Sequence, residues 1–343
     1  MGISASTACF SGPLPSPAEP TVLVLGGSGF IGRHAVQALR LQRCQVVIGS
    51  RRPLAIDARL PANAQRCPRR TARFEHLTEP DDWQHLLTGI DVVINCVGIL
   101  RQRGRETYDR VHRLAPAALA EACRRRKLRL IHVSALGLRP DSRSRFLRSK
   151  FAGEAALKNS GADCCLVRPS LLDGDGGYGA KWLRMLARMP IHVLPADAIG
   201  RIAALDVRDL GEVLARIALQ PECIGEDDRC QEIELGGTDL RTLGEYVAAI
   251  RRLDSANVAL SLRVPSLLAR AGSHLCDLLH WSPFSFGHWE LLRRDNCPTV
   301  NRLPQLLGHA PRRIGANDER EVKTSDAPAP SGNAAATAVP SQG

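Results

Sequence analysis

Aromatic side chains make up only 4% of the 343 residues, with just three tyrosines among them. A chain so poor in rings offers little for the stacking platforms of single-stranded nucleic-acid binders. Lysine is scarce as well. Almost all of the positive charge is arginine, a bias that genome composition is enough to explain. The eleven cysteines are odd in number and scattered, with no Cys-x-x-Cys, so no metal site is expected and a reduced cytosolic setting is. Cys164 and Cys165 adjoin in what reads as a buried strand, where packing is expected rather than redox chemistry. The longest uncharged apolar run, Val92–Leu100, is too short to span a bilayer. Met1–Pro20 lacks the basic and apolar regions of a signal peptide and the arginines of a transit peptide. It is expected to be a flexible tail, as is the Ala/Pro/Ser/Gly-rich segment 316–343. These absences point to a cytoplasmic protein, with peripheral attachment at the inner face of a membrane left open.

At 44% hydrophobic, a chain of this length can bury one large domain and a smaller lobe. Its formal net charge is +11, concentrated in clusters such as Arg66/Arg69/Arg70/Arg73, Arg101/Arg103/Arg105 and Arg124–Lys127. Basic clusters alone would admit a nucleic-acid partner. No nucleic-acid-binding motif accompanies them, and such a partner is not expected.

The most informative segment is Thr21–Leu25 running into Gly26-Gly27-Ser28-Gly29-Phe30-Ile31-Gly32. An apolar strand, a glycine turn and a helix start build a phosphate site from backbone. Gly26 turns the chain off the strand, and Gly29 lets a pyrophosphate approach. Gly32 lets the helix pack close, with its positive end toward the phosphates. Ser28, Phe30, Ile31 and Arg33 complete the dinucleotide turn. The next strand, Cys44–Ile48, ends in Gly49-Ser50-Arg51-Arg52. An NAD site places an acid near this point, whereas arginine suits the 2′-phosphate of NADP. Arg51, Arg52 and Arg33 are therefore the candidate phosphate ligands. One charge-assisted hydrogen bond of about 1.5–3 kcal/mol gives roughly a tenfold preference or more, so NADP(H) is expected over NAD(H).

Beyond the turn, Val/Ile/Leu-rich strands alternate with helical patterns. Strands are expected near Arg73–Leu77 and at Asp91–Val97, Leu128–Val133 and Asp163–Arg168. Helices are expected at Asp81–Leu87, Tyr108–Arg126 and Arg145–Asn159. The expected fold is α/β: a doubly wound parallel-sheet Rossmann domain with a smaller C-terminal α/β lobe over the cleft. Residues 21–178 and 201–222 are assigned to the first and 179–200 and 223–315 to the second. Ligands would sit beyond the carboxyl ends of the strands. The loop Arg101–Glu106 lies on that side, facing an anionic substrate or partner, or else simply solvated.

Five segments together resemble the extended and atypical short-chain dehydrogenase/reductases. They are Gly26-x-x-Gly29-x-x-Gly32-Arg33, Val93–Leu100, Ile131-His-Val-Ser-Ala-Leu-Gly137, Ser149-Lys150-x-x-Gly153-Glu154 and Val167-Arg-Pro-Ser170. Within that group the chain is similar to the NADPH-binding accessory subunit of respiratory complex I and its bacterial relatives. The resemblance implies that Ser134 orients a substrate, that Lys150 holds the nicotinamide ribose, and that Asn95, Gly98 and Pro169 border the cofactor. The tyrosine that would carry the proton, four residues before the lysine, is Phe146. General acid–base help of ~10²–10⁴-fold is missing with it. Tyr178 is the one tyrosine expected near the cleft, as a substitute acid or a packing residue. His112 is expected to be structural, and His76 replaces an aspartate that would meet the adenine amine.

Two functions follow from the resemblance. One is a dinucleotide-binding protein without dehydrogenase turnover, serving assembly, stability or redox sensing of a membrane-associated complex. The other is an active NADP-dependent reductase, epimerase or dehydratase on a small, quinone- or isoprenoid-like substrate.

Overall fold

The computed structural model describes residues 19–52, 66–225, 230–254, 257–279 and 285–314. Both tails anticipated from composition lie outside these, apart from residues 19 and 20. Seven parallel strands form the main sheet: β1 (Thr21–Leu25), β2 (Gln45–Ser50), β3 (Arg69–Thr71), β4 (Val92–Asn95), β5 (Arg129–Val133), β6 (Cys164–Pro169) and β11 (Cys230–Leu235). Their spatial order is β3-β2-β1-β4-β5-β6-β11. Short pairs made by β7 (Leu172–Asp173) with β10 (Leu205–Asp206), β9 (Arg201–Ile202) with β12 (Arg241–Thr242), and β8 (Ile191–Pro195) with β13 (Leu260–Val264) lie outside it. Helices are α1 (Phe30–Leu41), α2 (Ala115–Arg126), α3 (Arg145–Asn159), α4 (Tyr178–Arg188), α5 (Val207–Leu219), α6 (Leu243–Asp254), α7 (Ser266–Leu279), α8 (Phe286–Leu292) and α9 (Leu303–Leu307). The chain is thus the doubly wound Rossmann-type α/β fold that its alternating pattern predicts.

Burial explains the pattern. Val22, Leu23, Val24 and Leu25 are all buried, because helices cover both faces of a parallel sheet. Val22 and Val24 join a cluster with α1 and α5, while Leu23 and Leu25 join one with Trp83, Leu86 and α2. Truncating a residue such as Leu39 to alanine would cost about 2–5 kcal/mol. The helix Tyr108–Arg126 begins with a wide turn at Arg110–Leu114 before settling into α2.

Three expectations change. The segment near Arg73–Leu77 is not a strand. Phe74–His76 forms a 3₁₀ turn, and Phe74 and Leu77 are both buried, a spacing of three that suits a helical turn rather than an alternating strand. Residues 230–235, assigned to the smaller lobe, form the last strand of the main sheet, paired with β6 from Cys230↔Cys164 to Leu235↔Pro169. That register joins Cys164 to Cys230 in a disulfide. Cys165, on the opposite face of the strand, stays a free buried thiol.

Candidate active site

The glycine turn leaves β1 as its sequence requires. Gly26 has φ +73°, and a Cβ on Gly32 would overlap the Gly26 carbonyl, so the helix can sit this close only without a side chain. Gly29 caps α1 with no side-chain hydrogen bond, and the first turn holds no acid. The amides at this helix end therefore face the turn uncapped, which suits a pyrophosphate.

Phe30, Ile31, Ser134, Phe146, Lys150 and Pro169 come from four separate segments and line one cleft of about 340 Å³. Its other walls are carbon-rich, among them Leu136, Leu171, Trp182, Leu183 and Leu292. The polar exceptions are informative. The Ser134 hydroxyl is buried without a hydrogen-bond partner, as is Asn296 Oδ1. An unsatisfied buried hydroxyl costs about 1–3 kcal/mol, and a ligand in the cleft would supply its partner. Burial pushes the Lys150 ammonium below its usual pKa, with the Glu154 carboxylate opposing the shift. A Cβ on Gly98 would lie 4.0 Å from Lys150 Nζ and 3.9 Å from His112 Nε2. Gly98 thus sits beside both side chains. The turn and the cleft have the backbone donors and the room that suit a dinucleotide.

The helix that carries Lys150 is fixed from both sides. A Cβ on Gly153 would overlap the His112 carbonyl, so α3 meets the neighbouring helix at its backbone. Glu154, almost fully buried, accepts from Arg168 on β6 at 2.5–3.1 Å. His112 Nε2 accepts from the Ile99 amide at 3.1 Å, and Nδ1 meets Ser149 Oγ at 2.8 Å. Ser149 Oγ in turn donates to the Phe146 carbonyl. That chain assigns the His112 proton to Nδ1 and makes the residue a structural clamp, as its sequence position suggests. Burial holds its pKa well below the ordinary imidazole value.

Phe146 sits among three rings, with centroids 5.6 Å from His112, 5.8 Å from Tyr108 and 6.2 Å from His288. Tyr108 and His288 escaped the sequence reading. Tyr108 stands one helical turn before His112, a spacing that does place both on one face, and its hydroxyl donates to the Leu100 carbonyl at 2.9 Å. His288 lines the cleft, but nothing in its local sequence marks it. Ser285 Oγ accepts from the His288 amide and lies 2.7 Å from ring Nδ1. Its own hydrogen is then free for Nδ1, leaving the ring proton on Nε2. Burial lowers the His288 pKa to about 4, so the ring is neutral at pH 7.

Other expected residues are placed elsewhere. Tyr178 is 58% exposed at the start of α4, while its neighbours Gly179 and Ala180 line the cleft. Asn95 is fully buried. Its Oδ1 accepts from the Val97 amide and its Nδ2 reaches His132 Nδ1 at 3.0 Å, so the side chain shapes the end of β4 from inside. Arg33 is 8% exposed. Its guanidinium donates to the Asp175 carbonyl and lies 5.7 Å from the Phe30 ring. Gly176, with φ +78°, lies against it, a conformation that favours glycine at that position. Arg51 lies 2.5 Å from Glu106, and Arg52 is exposed beside it. His76 is exposed on its 3₁₀ turn. The loop 101–106 is not simply solvated, because Arg101 pairs at 2.7 Å with Asp277 of α7.

Known proteins resemble this chain in sequence and in fold. Over 214 residues the chain is 30% identical to a ceramide reductase of Caulobacter vibrioides, covering 61% of this chain and 64% of that one. Over 234 residues it is 27% identical to the mitochondrial NADH dehydrogenase [ubiquinone] 1 alpha subcomplex subunit 9 of Dictyostelium discoideum, covering 66% and 62%. The matched region thus spans a little under two thirds of either relative. Among solved structures, the Citrobacter sp. triphenylmethane reductase complexed with NADP(H) superposes with a TM-score of 0.62 at 13% identity, over 86% of this chain and 97% of that one. At that identity the likeness speaks for the fold alone. The NAD dependent epimerase/dehydratase family model matches residues 22–222, and the chain belongs to that family.

Proposed function

We propose that this protein is an NADP(H)-dependent reductase of an apolar carbonyl substrate. The observation that carries it is the carbon-walled cleft of about 340 Å³ that closes on Ser134 and Lys150. Sugar-nucleotide substrates call for polar walls, whereas these walls favour an aliphatic chain. The similarity to a ceramide reductase supports a lipid-like substrate. The bound dinucleotide would supply the hydride. The Ser134 hydroxyl, unpartnered in the cleft, donates to the carbonyl oxygen where negative charge develops. Lys150 holds the ribose, and Arg51 and Arg52 hold the 2′-phosphate. Phe146 has no proton to give, so the proton reaches the oxygen from water, without the pKa match of a tyrosine–lysine pair. Turnover slower than that of tyrosine-bearing relatives is the consequence. The setting we assign is cytoplasmic, peripheral to a membrane.

The test is NADPH oxidation with a series of long-chain ketones. Rates that rise with chain length support the proposal. Tight NADPH binding without oxidation of any of them would favour a second function, a dinucleotide-binding subunit of a membrane-associated complex. Phe146 in the tyrosine position and the likeness to the NADH dehydrogenase subunit speak for that one.

A further inference from the structure

Two asparagines of this fold are held by the hydrogen bonds that their side-chain oxygens accept. Asn95 Oδ1 takes the Val97 amide. Asn301 Oδ1 takes the Gly236 and Leu303 amides, and its Nδ2 donates back to the Gly236 carbonyl. Asn296 is different. Its main chain is fully engaged, with the amide donating to the Arg201 carbonyl at 2.7 Å and the carbonyl accepting from Ser170 Oγ at 2.7 Å. Its Oδ1, by contrast, is buried and accepts from no described residue.

Asn296 lines the carbon-walled cleft, and its neighbours leave the oxygen bare. Gly137 stands beside it with φ +78°, and a Cβ there would come within 3.3 Å of Oδ1. Other polar groups on the cleft wall are already committed. Ser170 Oγ bonds the Asn296 carbonyl and the Ala203 amide, and His288 Nδ1 meets Ser285 Oγ. Lys150 can only donate. That leaves two unpartnered buried atoms on the wall, Ser134 Oγ and Asn296 Oδ1. The hydroxyl has a hydrogen to give, whereas the amide oxygen can only accept.

A buried acceptor without a donor is a standing cost, recovered when a ligand brings the hydrogen. In an apolar cleft a few such atoms fix the orientation of the ligand and decide which ligand is taken. A simple ketone does not meet the need, because its one polar atom also only accepts. We propose that Asn296 is a specificity-determining residue whose Oδ1 accepts from an amide N–H or a hydroxyl carried by an apolar chain, while Ser134 takes the carbonyl of the same chain. The reducible carbonyl rests on the reductase function; the demand for a donor does not.

The experiment is calorimetric titration of the full chain with N-butylhexanamide and with butyl hexanoate, which match in length and differ by an N–H in place of an oxygen. The amide is the more strongly hydrated, so apolar burial alone ranks the ester first. The expected result is an amide bound roughly tenfold or more tightly than the ester. N296L, which has no acceptor, should abolish that preference, and N296D, which keeps one, should retain it. NADPH fluorescence titration checks that both variants fold. An ester bound as tightly as the amide by the wild type, or neither compound bound, would overturn the proposal. So would a preference that survives in N296L, or one lost equally in N296D, which would assign the effect to packing of the wall. If the amide preference holds but no ketone is reduced, the reductase function falls and the acceptor stands. If ketones are reduced without an amide preference, the reverse is true.

Discussion

The Arg101 guanidinium lies 2.7 Å from the Asp277 carboxylate, with the arginine side chain 13% and the aspartate 34% exposed. The loop after β4 is thereby bonded to α7, the helix that precedes the cleft-lining α8. The anionic group that the basic loop meets belongs to the same chain. Asp277 also accepts from the Phe286 amide at 3.0 Å, so the pair reaches the start of α8 and the His288 wall of the cleft.

Between the ~0.2–1 kcal/mol of an exposed pair and the ~3–5 kcal/mol lost on breaking a buried one, this half-sheltered contact should couple by about 1–2 kcal/mol. A double-mutant cycle of R101Q and D277N, read by urea denaturation, measures it. Additive effects of the two changes would mean that the lobes are held together by other contacts.

Replacing Phe146 by tyrosine should raise NADPH-dependent reduction of a long-chain ketone by ~10²-fold or more, the usual scale of general acid help. Lys150 one turn on and the ring cluster of Tyr108, His112 and His288 are already in place. The gain should appear in kcat, with the KM for NADPH unchanged. F146Y with intact NADPH binding and no gain would show that the new hydroxyl points away from the carbonyl.

Much of this was legible beforehand. The glycine turn and the alternation of strands and helices follow from local patterns, and Phe30, Ile31, Ser134, Phe146, Lys150 and Pro169, marked by that turn and by the family resemblance, line one cleft because parallel strands deliver their ends to one side of a sheet. Arg33 makes a contact that its local pattern does not announce. Its sequence neighbours suggest a phosphate, but its partner is a loop some 140 residues away, the Asp175 carbonyl. His288 and Asn296 reach the cleft only through the fold of the C-terminal lobe, where no motif constrains the spacing. Cys230 likewise meets Cys164 across a separation of 66 residues.

Acid should unfold the protein early. Burial lowers the pKa of His132 to about 3 and of His288 to about 4, and that of His112 well below normal. In the unfolded chain each returns to ~6.5. Between these values the unfolded state binds more protons, so stability rises with pH and is lost as pH falls below ~6.5. At pH 5 His132 and His288 would each contribute a loss of about 2 kcal/mol, from 1.36 kcal/mol per unit. His309, whose pKa is raised by Glu212, opposes this in part. Urea midpoints at pH 7, 6 and 5 should fall steadily. H132Q should show a shallower slope whatever its stability at pH 7, and an unchanged slope would mean that His132 protonates freely in the native state.

Cofactor choice should rest on Arg51 and its carboxylate neighbour. Arg51 is 66% exposed on its side chain and lies 2.5 Å from Glu106, so a 2′-phosphate at the end of β2 would compete with that carboxylate for the same guanidinium. Removing the arginine by R51A should weaken NADPH roughly tenfold or more, as the loss of one charge-assisted bond implies, with little effect on NADH. Removing the competitor by E106Q should act the other way, tightening NADPH and leaving NADH unchanged. Fluorescence titration of both cofactors against both variants reads the two effects separately. Equal losses for NADPH and NADH in R51A would show that Arg51 shapes the turn as a whole. A loss of NADPH affinity in E106Q would show that Glu106 positions the arginine for the phosphate instead of competing with it.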